Sequence, residues 1–233
     1  MSSVKPIIRE LKQAAMKGFA HADLKLHQLT HNIDNHLDDV IRRVKDKDNF
    51  DGTPHKPSGP GRSQHGDDRL VPRPECLNEK GEVDWSKAPK NGFVLDSDGN
   101  PIMSDHVPDA GDRFDRYGDA NGRYVSPITE EGPFSYDSRS LPYKENPNAY
   151  HEYEWVHSPA DVQSVYDGLD GDARGAVDDV LAKYDMDLSD LAHVSRGDAA
   201  PIPDWGTSGG AIQDLLPVSV DLLDKMGMIK EVG

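Results

Sequence analysis

Four short clusters between Asp112 and Gln213 combine cationic, aromatic and hydroxyl side chains with glycine. The first is Asp112-Arg113-Phe114-Asp115-Arg116-Tyr117-Gly118, running on to Gly122-Arg123-Tyr124-Val125-Ser126-Pro127. The others are Arg139-Ser140-Leu141-Pro142-Tyr143, Tyr150-His151-Glu152-Tyr153, and Trp205-Gly206-Thr207-Ser208-Gly209-Gly210-Ala211-Ile212-Gln213. Arginine beside glycine-rich turns suits a phosphorylated ligand. The guanidinium fork pairs with phosphate oxygens, and glycine lets backbone N–H groups approach an anion. Tyr124 and Trp205 offer rings on which a planar group can stack, and His151 can hold or move a proton near neutral pH. Each cluster alone has a plainer explanation: a surface ion pair for a turn arginine, a tight turn for Gly209-Gly210, a structural role for a strand histidine.

The elements that must position these residues fall in three regions. Residues 1–48 place Val4, Leu11, Ala15, Ala22, Leu26, Ile33, Leu37 and Val44 at alternating steps of seven and four. That eleven-residue repeat keeps one apolar stripe on a long amphipathic helix, or on two helices joined near Gly18 or Asn32. Such a stripe needs a partner, so residues 4–44 are expected to meet a helical secretion partner, a second copy or an upstream domain. His27 and His31 share a helix face there, but no third zinc ligand accompanies them. Residues 49–90 are rich in Pro, Gly, Ser and charge, without apolar periodicity, and are expected to be a flexible, disordered linker. Val83, Trp85 and Ala88 mark where the chain first touches the next domain.

Residues 91–233 alternate short apolar runs with turn signals. Tyr150 to Val156 alternates as a strand does, and Asp161 to Tyr184 has helical spacing broken between Gly168 and Gly175. The expected fold class is α+β: a β-rich, mostly antiparallel, compact catalytic domain preceded by the long helix and the linker.

The formal net charge of −16 disfavours nucleic acid and anionic lipid as general partners. The only cysteine, Cys76, permits neither an intrachain disulfide nor a Cys-x-x-Cys metal site, and no base accompanies it to make a catalytic thiol. No stretch is apolar enough to span a membrane, and Met1 to Lys5 lacks the apolar core of a secretory signal. The expectation is a chain retained in the cytosol, exported by a route without a cleavable signal, or forming the tail of a larger exported protein.

The order of the clusters resembles the tuberculosis necrotizing toxin family of NAD glycohydrolases. That pattern is Arg-Tyr/Phe-Gly, Gly-x-Tyr/Phe-Val-Ser-Pro, Arg-Ser-Leu-Pro, a Tyr-His-x-Tyr strand and a Gly-Gly-x-x-Gln turn. Here it is met by Arg116-Tyr117-Gly118, Gly122 to Pro127, Arg139 to Pro142, Tyr150 to Tyr153 and Gly209 to Gln213, about half the chain. The resemblance implies that Arg116 and Arg139 hold the NAD pyrophosphate and that Tyr124 packs on the ligand. His151 and Gln213 would act at the cleavage site, with Trp205, Gly209 and Gly210 lining the substrate site. It further implies a compact β-rich toxin module in which NAD is substrate rather than cofactor, with no metal. NADP is left open as a second substrate. The stretch from His151 to Gln213 is longer than the pattern, and Pro203-Asp204-Trp205-Gly206 stands where a Trp-Phe-Gly-like run is expected.

Cleavage of the nicotinamide–ribose bond builds positive charge on the ribose while nicotinamide departs neutral. The site therefore needs positioning, a polar partner for the cation and one aligned water. Gln213 is assigned to the ribose or water and His151 to proton handling. Glu152 faces opposite to His151 on a strand and is not assigned, and Asp204 is a further carboxylate near Gln213. Two alternatives remain. A protein ADP-ribosyltransferase would use Glu152-Tyr153-Glu154, although Thr207-Ser208-Gly209 follows rather than precedes it. A non-catalytic adaptor would use the long helix alone. A producer of an NAD-destroying toxin also needs an immunity protein that blocks the site before delivery into a target cell.

Overall fold

The computed structural model describes residues 68–232. The helix expected over residues 1–48 and the linker residues 49–67 lie outside the described residues. Seven strands form one antiparallel sheet: β1 (Met103–His106), β2 (Arg113–Tyr117), β3 (Tyr124–Pro127), β4 (Tyr150–Trp155), β5 (Val194–Asp198), β6 (Ile212–Leu215) and β7 (Ile229–Glu231). Their order across the sheet is β1-β5-β6-β3-β2-β4-β7. Among the described residues three α-helices accompany it: α1 (Val162–Gly168), α2 (Gly171–Lys183) and α3 (Val220–Lys225). The expected helical segment thus does divide, at Leu169 and Asp170. The Asp170 side chain starts α2 by accepting from Ala173 N at 2.8 Å, satisfying one of the N–H groups a helix start leaves open. Phe93 and Leu95 make isolated bridges to Ala199 and Pro101.

Side chains alternate between the faces of a strand, and directly paired residues share a face. Phe114 pairs with Tyr153, and Val125 with Asp214. One face therefore carries Phe114, Val125, Tyr153 and Trp155 into the main core. Val162, Val177, Val220, Leu222 and Leu223 join them there. Phe114 is 2% exposed and stacks on Tyr153 at 5.4 Å between ring centroids. Burial of one such side chain contributes about 1.5–3 kcal/mol.

Residues 68–90, assigned above to the linker, belong to the fold. Cys76 is buried with Ile202 and Trp205, and Val83 and Ala88 pack against them. Trp85 meets Trp205 edge-on at 5.7 Å. Short 3-10 turns at Pro74–Cys76 and Trp85–Lys87 carry these residues. Turns of three residues show no apolar period, which is why the stretch reads as linker. The same segment straps onto the loop after β3: Arg73 N donates to Pro142 O at 2.9 Å and Arg73 Nη2 to Leu141 O at 3.0 Å.

Candidate active site

The β2–β3 ladder holds only two pairs, Phe114 with Pro127 and Asp115 with Ser126. Beyond them β2 pairs with β4 alone, while Tyr124 and Val125 pair with β6 alone. The sheet forks at this point. A cleft lies in the fork, lined by Asp115, Arg116, Tyr117, Tyr124, Val125, Ser126, Arg139, Leu141, Ala199 and Gln213. Its cavity volume is ≈ 40 Å³, well below the roughly 300–1,000 Å³ of small-molecule sites. A ligand of dinucleotide size exceeds this space and would have to lie across the mouth or displace side chains.

Four of the expected site residues meet here: Arg116, Tyr124, Arg139 and Gln213. Arg139 ends the 3-10 turn Asp137–Arg139 and is 6% exposed. It forms a forked ion pair with Asp115, through Nη1 to Oδ1 and through Nη2 to Oδ2 at 2.9 Å. Its Nε and Nη2 also donate to Phe134 O at 3.1 and 3.0 Å. The next residue, Ser140, adopts the left-handed conformation (φ 54°) that non-glycine residues seldom take. Its hydroxyl donates to Ala200 O at 2.5 Å and ties this loop to the one that carries Ala199.

Arg116 differs. It extends from the opposite face of β2 and borders the cleft through the fork, where β3 no longer covers β2. Its Nε and Nη1 are buried and have no hydrogen-bond partner. Burial pushes its pKa down, opposed by Asp119. Gly122 makes room for it: a Cβ there would stand 2.6 Å from Arg116 Cζ. The glycine of the Gly-x-Tyr-Val-Ser-Pro motif thus admits a side chain of the protein itself.

Gln213 is aimed by a bond from Nε2 to Asn91 O at 3.1 Å. That bond fixes which end of the amide is the donor and leaves Oε1 as acceptor. Asn91 is itself left-handed (φ 53°).

The remaining expectations are not brought together. His151 lies on the face opposite to Asp115, and its Nδ1 sits 2.7 Å from Glu231 Oε1. Glu152, set aside in the sequence reading, is the residue on the cleft face. It pairs with Arg113, and its Oε1 accepts from Tyr150 OH at 3.1 Å. Trp205 is 1% exposed and packed under Trp85, so it is a core residue rather than a wall of the cleft. Asp204 is on the surface, 3.9 Å from Lys87. Gly209 and Gly210 serve the backbone. A Cβ at Gly209 (φ 67°) would stand 2.7 Å from Ala199 O, and Gly210 N donates to that same oxygen at 2.8 Å.

Sequence reasoning gave no role to Asp115, which is fully buried and joins Arg139 to Tyr150. Its spacing inside Arg113-Phe114-Asp115-Arg116 was the available signal, since alternation places it between two core-facing residues. Among the described residues no group of three or more His, Cys, Asp or Glu side chains could hold a metal ion. Among them, too, no helix is long and apolar enough to cross a membrane.

A second cavity, ≈ 210 Å³, opens on the other face of the sheet. It is lined by His106, Arg196 and Asp214 together with Phe114 and Trp155. None of the expected site residues lines it.

The model of the family described as tuberculosis necrotizing toxin matches residues 109–166. A solved structure described as tuberculosis necrotizing toxin complexed with its immunity factor is 18% identical, with a TM-score of 0.39. The similarity covers 66% of this chain and 65% of that one, so the chain spans just under two thirds of the solved chain's length. No curated protein matches the chain.

Proposed function

We propose, from the premise that the chain carries a domain of the tuberculosis necrotizing toxin family, matched over residues 109–166, that it hydrolyses the nicotinamide–ribose bond of NAD. The observation that carries this reading is Arg116, a half-buried cation whose buried Nε and Nη1 have no hydrogen-bond partner in the protein, beside Tyr124 and Gln213 in one cleft. An unpaired buried charge is costly, and an anionic ligand relieves that cost. The pyrophosphate of NAD is such an anion.

In this reading Arg116 takes phosphate oxygens and Tyr124 packs on the ligand. Gln213 offers Oε1 to a ribose hydroxyl or to the attacking water. As the C1′–N bond breaks, its electron pair leaves with neutral nicotinamide. The water oxygen bonds C1′ and releases its proton to solvent or to Glu152, the partly exposed carboxylate of the cleft face. His151 receives no part in the reaction, because it does not line the cleft and its Nδ1 is held by Glu231. An enzyme that empties the NAD pool endangers its producer, so an immunity protein that covers the fork belongs to the same proposal, as does export.

The test is to incubate the full chain with NAD and follow free nicotinamide, ADP-ribose and labelled protein. Nicotinamide and ADP-ribose are expected in equal amounts, with no labelled protein. Arg116→Ala is expected to raise KM about 10- to 100-fold, the worth of a charged hydrogen-bond partner, and Gln213→Ala to lower kcat. A folded chain that releases no nicotinamide sinks the proposal. Transfer of ADP-ribose to protein would replace it with a transferase.

A further inference from the structure

The Asp115 carboxylate is fully buried, yet five hydrogen bonds converge on it and its neighbour Glu152. Arg139 forks onto both its oxygens. Tyr150 OH donates to Oδ2 at 3.0 Å and stands 3.1 Å from Glu152 Oε1. Arg113 closes the chain on Glu152 from the rim. A phenol has one proton, so Tyr150 bonds one carboxylate fully at a time. Asp115 is the deeper of the two and is already held by Arg139. Burial and Asp115 push the Tyr150 pKa up, so the hydroxyl keeps its proton.

This arrangement reverses the part expected of Arg139. With Asp115 on two N–H groups and Phe134 O on two more, the guanidinium has one N–H left for a ligand. It cannot grip a phosphate in fork fashion while the pair holds. Its position does matter, because Ser140 and Leu141 follow it directly and Leu141 lines the cleft.

We propose that Asp115, steadied by Tyr150, is a positioning residue: it fixes Arg139, and through Arg139 the Leu141 wall of the fork, in the geometry that hydrolysis requires. The inference rests on the glycohydrolase reading and gives that site a part no sequence motif assigned. Binding and chemistry should separate when the network is cut. Without Asp115, Arg139 keeps its charge and still attracts an anion, but from no fixed place.

The experiment measures kcat and KM for NAD in the full chain carrying Asp115→Asn or Tyr150→Phe, each scaled to its folded fraction by circular dichroism. Asp115→Asn is expected to lower kcat about 10- to 100-fold, the effect of displacing a group by an ångström or so, without raising KM. Tyr150→Phe removes only a hydroxyl and serves if the first variant does not fold. It is expected to lower kcat by a smaller factor, again without raising KM. Wild-type turnover with unchanged kcat in the folded variants overturns the positioning role and leaves the glycohydrolase reading standing. A rise in KM alone overturns it too, since it would make Asp115 a determinant of binding. A wild-type chain without turnover removes the underlying reading, and the inference with it.

Discussion

On one side of the fork Arg139 has four of its N–H groups engaged by Asp115 and Phe134 O. On the other side Arg116 has two buried nitrogens engaged by nothing. Both arginines border the same cleft, and both read from the sequence as phosphate holders. A guanidinium already neutralised by a buried carboxylate is part of the fold's own wiring. One whose buried nitrogens have no protein partner is held at a cost that a bound anion would relieve. The contrast teaches that arginine in a binding motif does not by itself mean contact with the ligand; the pairing decides.

The largest expected effect follows from the paired side. Arg139→Ala strands the Asp115 carboxylate in the interior and is expected to destabilise the protein by about 3–5 kcal/mol. Arg116→Ala removes an unpaired charge and is expected to cost little or nothing in stability. Urea unfolding of the two variants makes the comparison. Equal losses would break it, because Arg116 would then be as structural as Arg139.

How much of this was legible depends on how local the cause is. The Tyr150 strand and the divided helix between Val162 and Lys183 were visible because spacing along the chain sets them. Alternation also separated His151 from Glu152 correctly. It could not say which face would hold the cleft, because that depends on β2 pairing with both β3 and β4 and on where the helices pack. Trp205 was misread for a similar reason. It is covered by Trp85 and Cys76, more than a hundred residues earlier in the chain. Glycine was read as approaching a ligand, whereas Gly122 admits Arg116 and Gly209 lies against Ala199 and Ala200. The residue type announced a close approach without naming what approaches.

Gly122 offers a sharper and smaller test of the unpaired side. The three atoms nearest to a Cβ there all belong to the end of the Arg116 side chain rather than to backbone, so Gly122→Ala is expected to shift that side chain and leave the fold intact. The guanidinium would be displaced from its place against Gly122. NAD is then expected to bind about tenfold more weakly, equivalent to roughly 1.4 kcal/mol, by calorimetric titration of an inactive Gln213→Ala background. Unchanged affinity would mean that the phosphate is held elsewhere, and the orphaned nitrogens would need another explanation.

The smallest effect belongs to the other face, where Arg196 repeats the paired arrangement by forking onto Asp214 at 2.7 and 2.8 Å. His106 faces this pair. Burial, and then the Arg196 charge, hold its pKa below the ordinary 6.5, against the opposing pull of Asp214, Asp112 and Asp109. The fold therefore favours neutral imidazole, and the unfolded chain binds the proton more readily. Stability from this residue is fully present above pH 6.5 and declines as pH falls from there toward the lowered folded value. His106→Gln should abolish that slope, so the urea midpoints of wild type and variant should converge as pH is lowered from about 7.5 to about 5.5. A constant gap between them would show that Asp214 is not fully occupied by Arg196 and compensates a charged His106, and the likeness between the Arg196 and Arg139 pairs would fail.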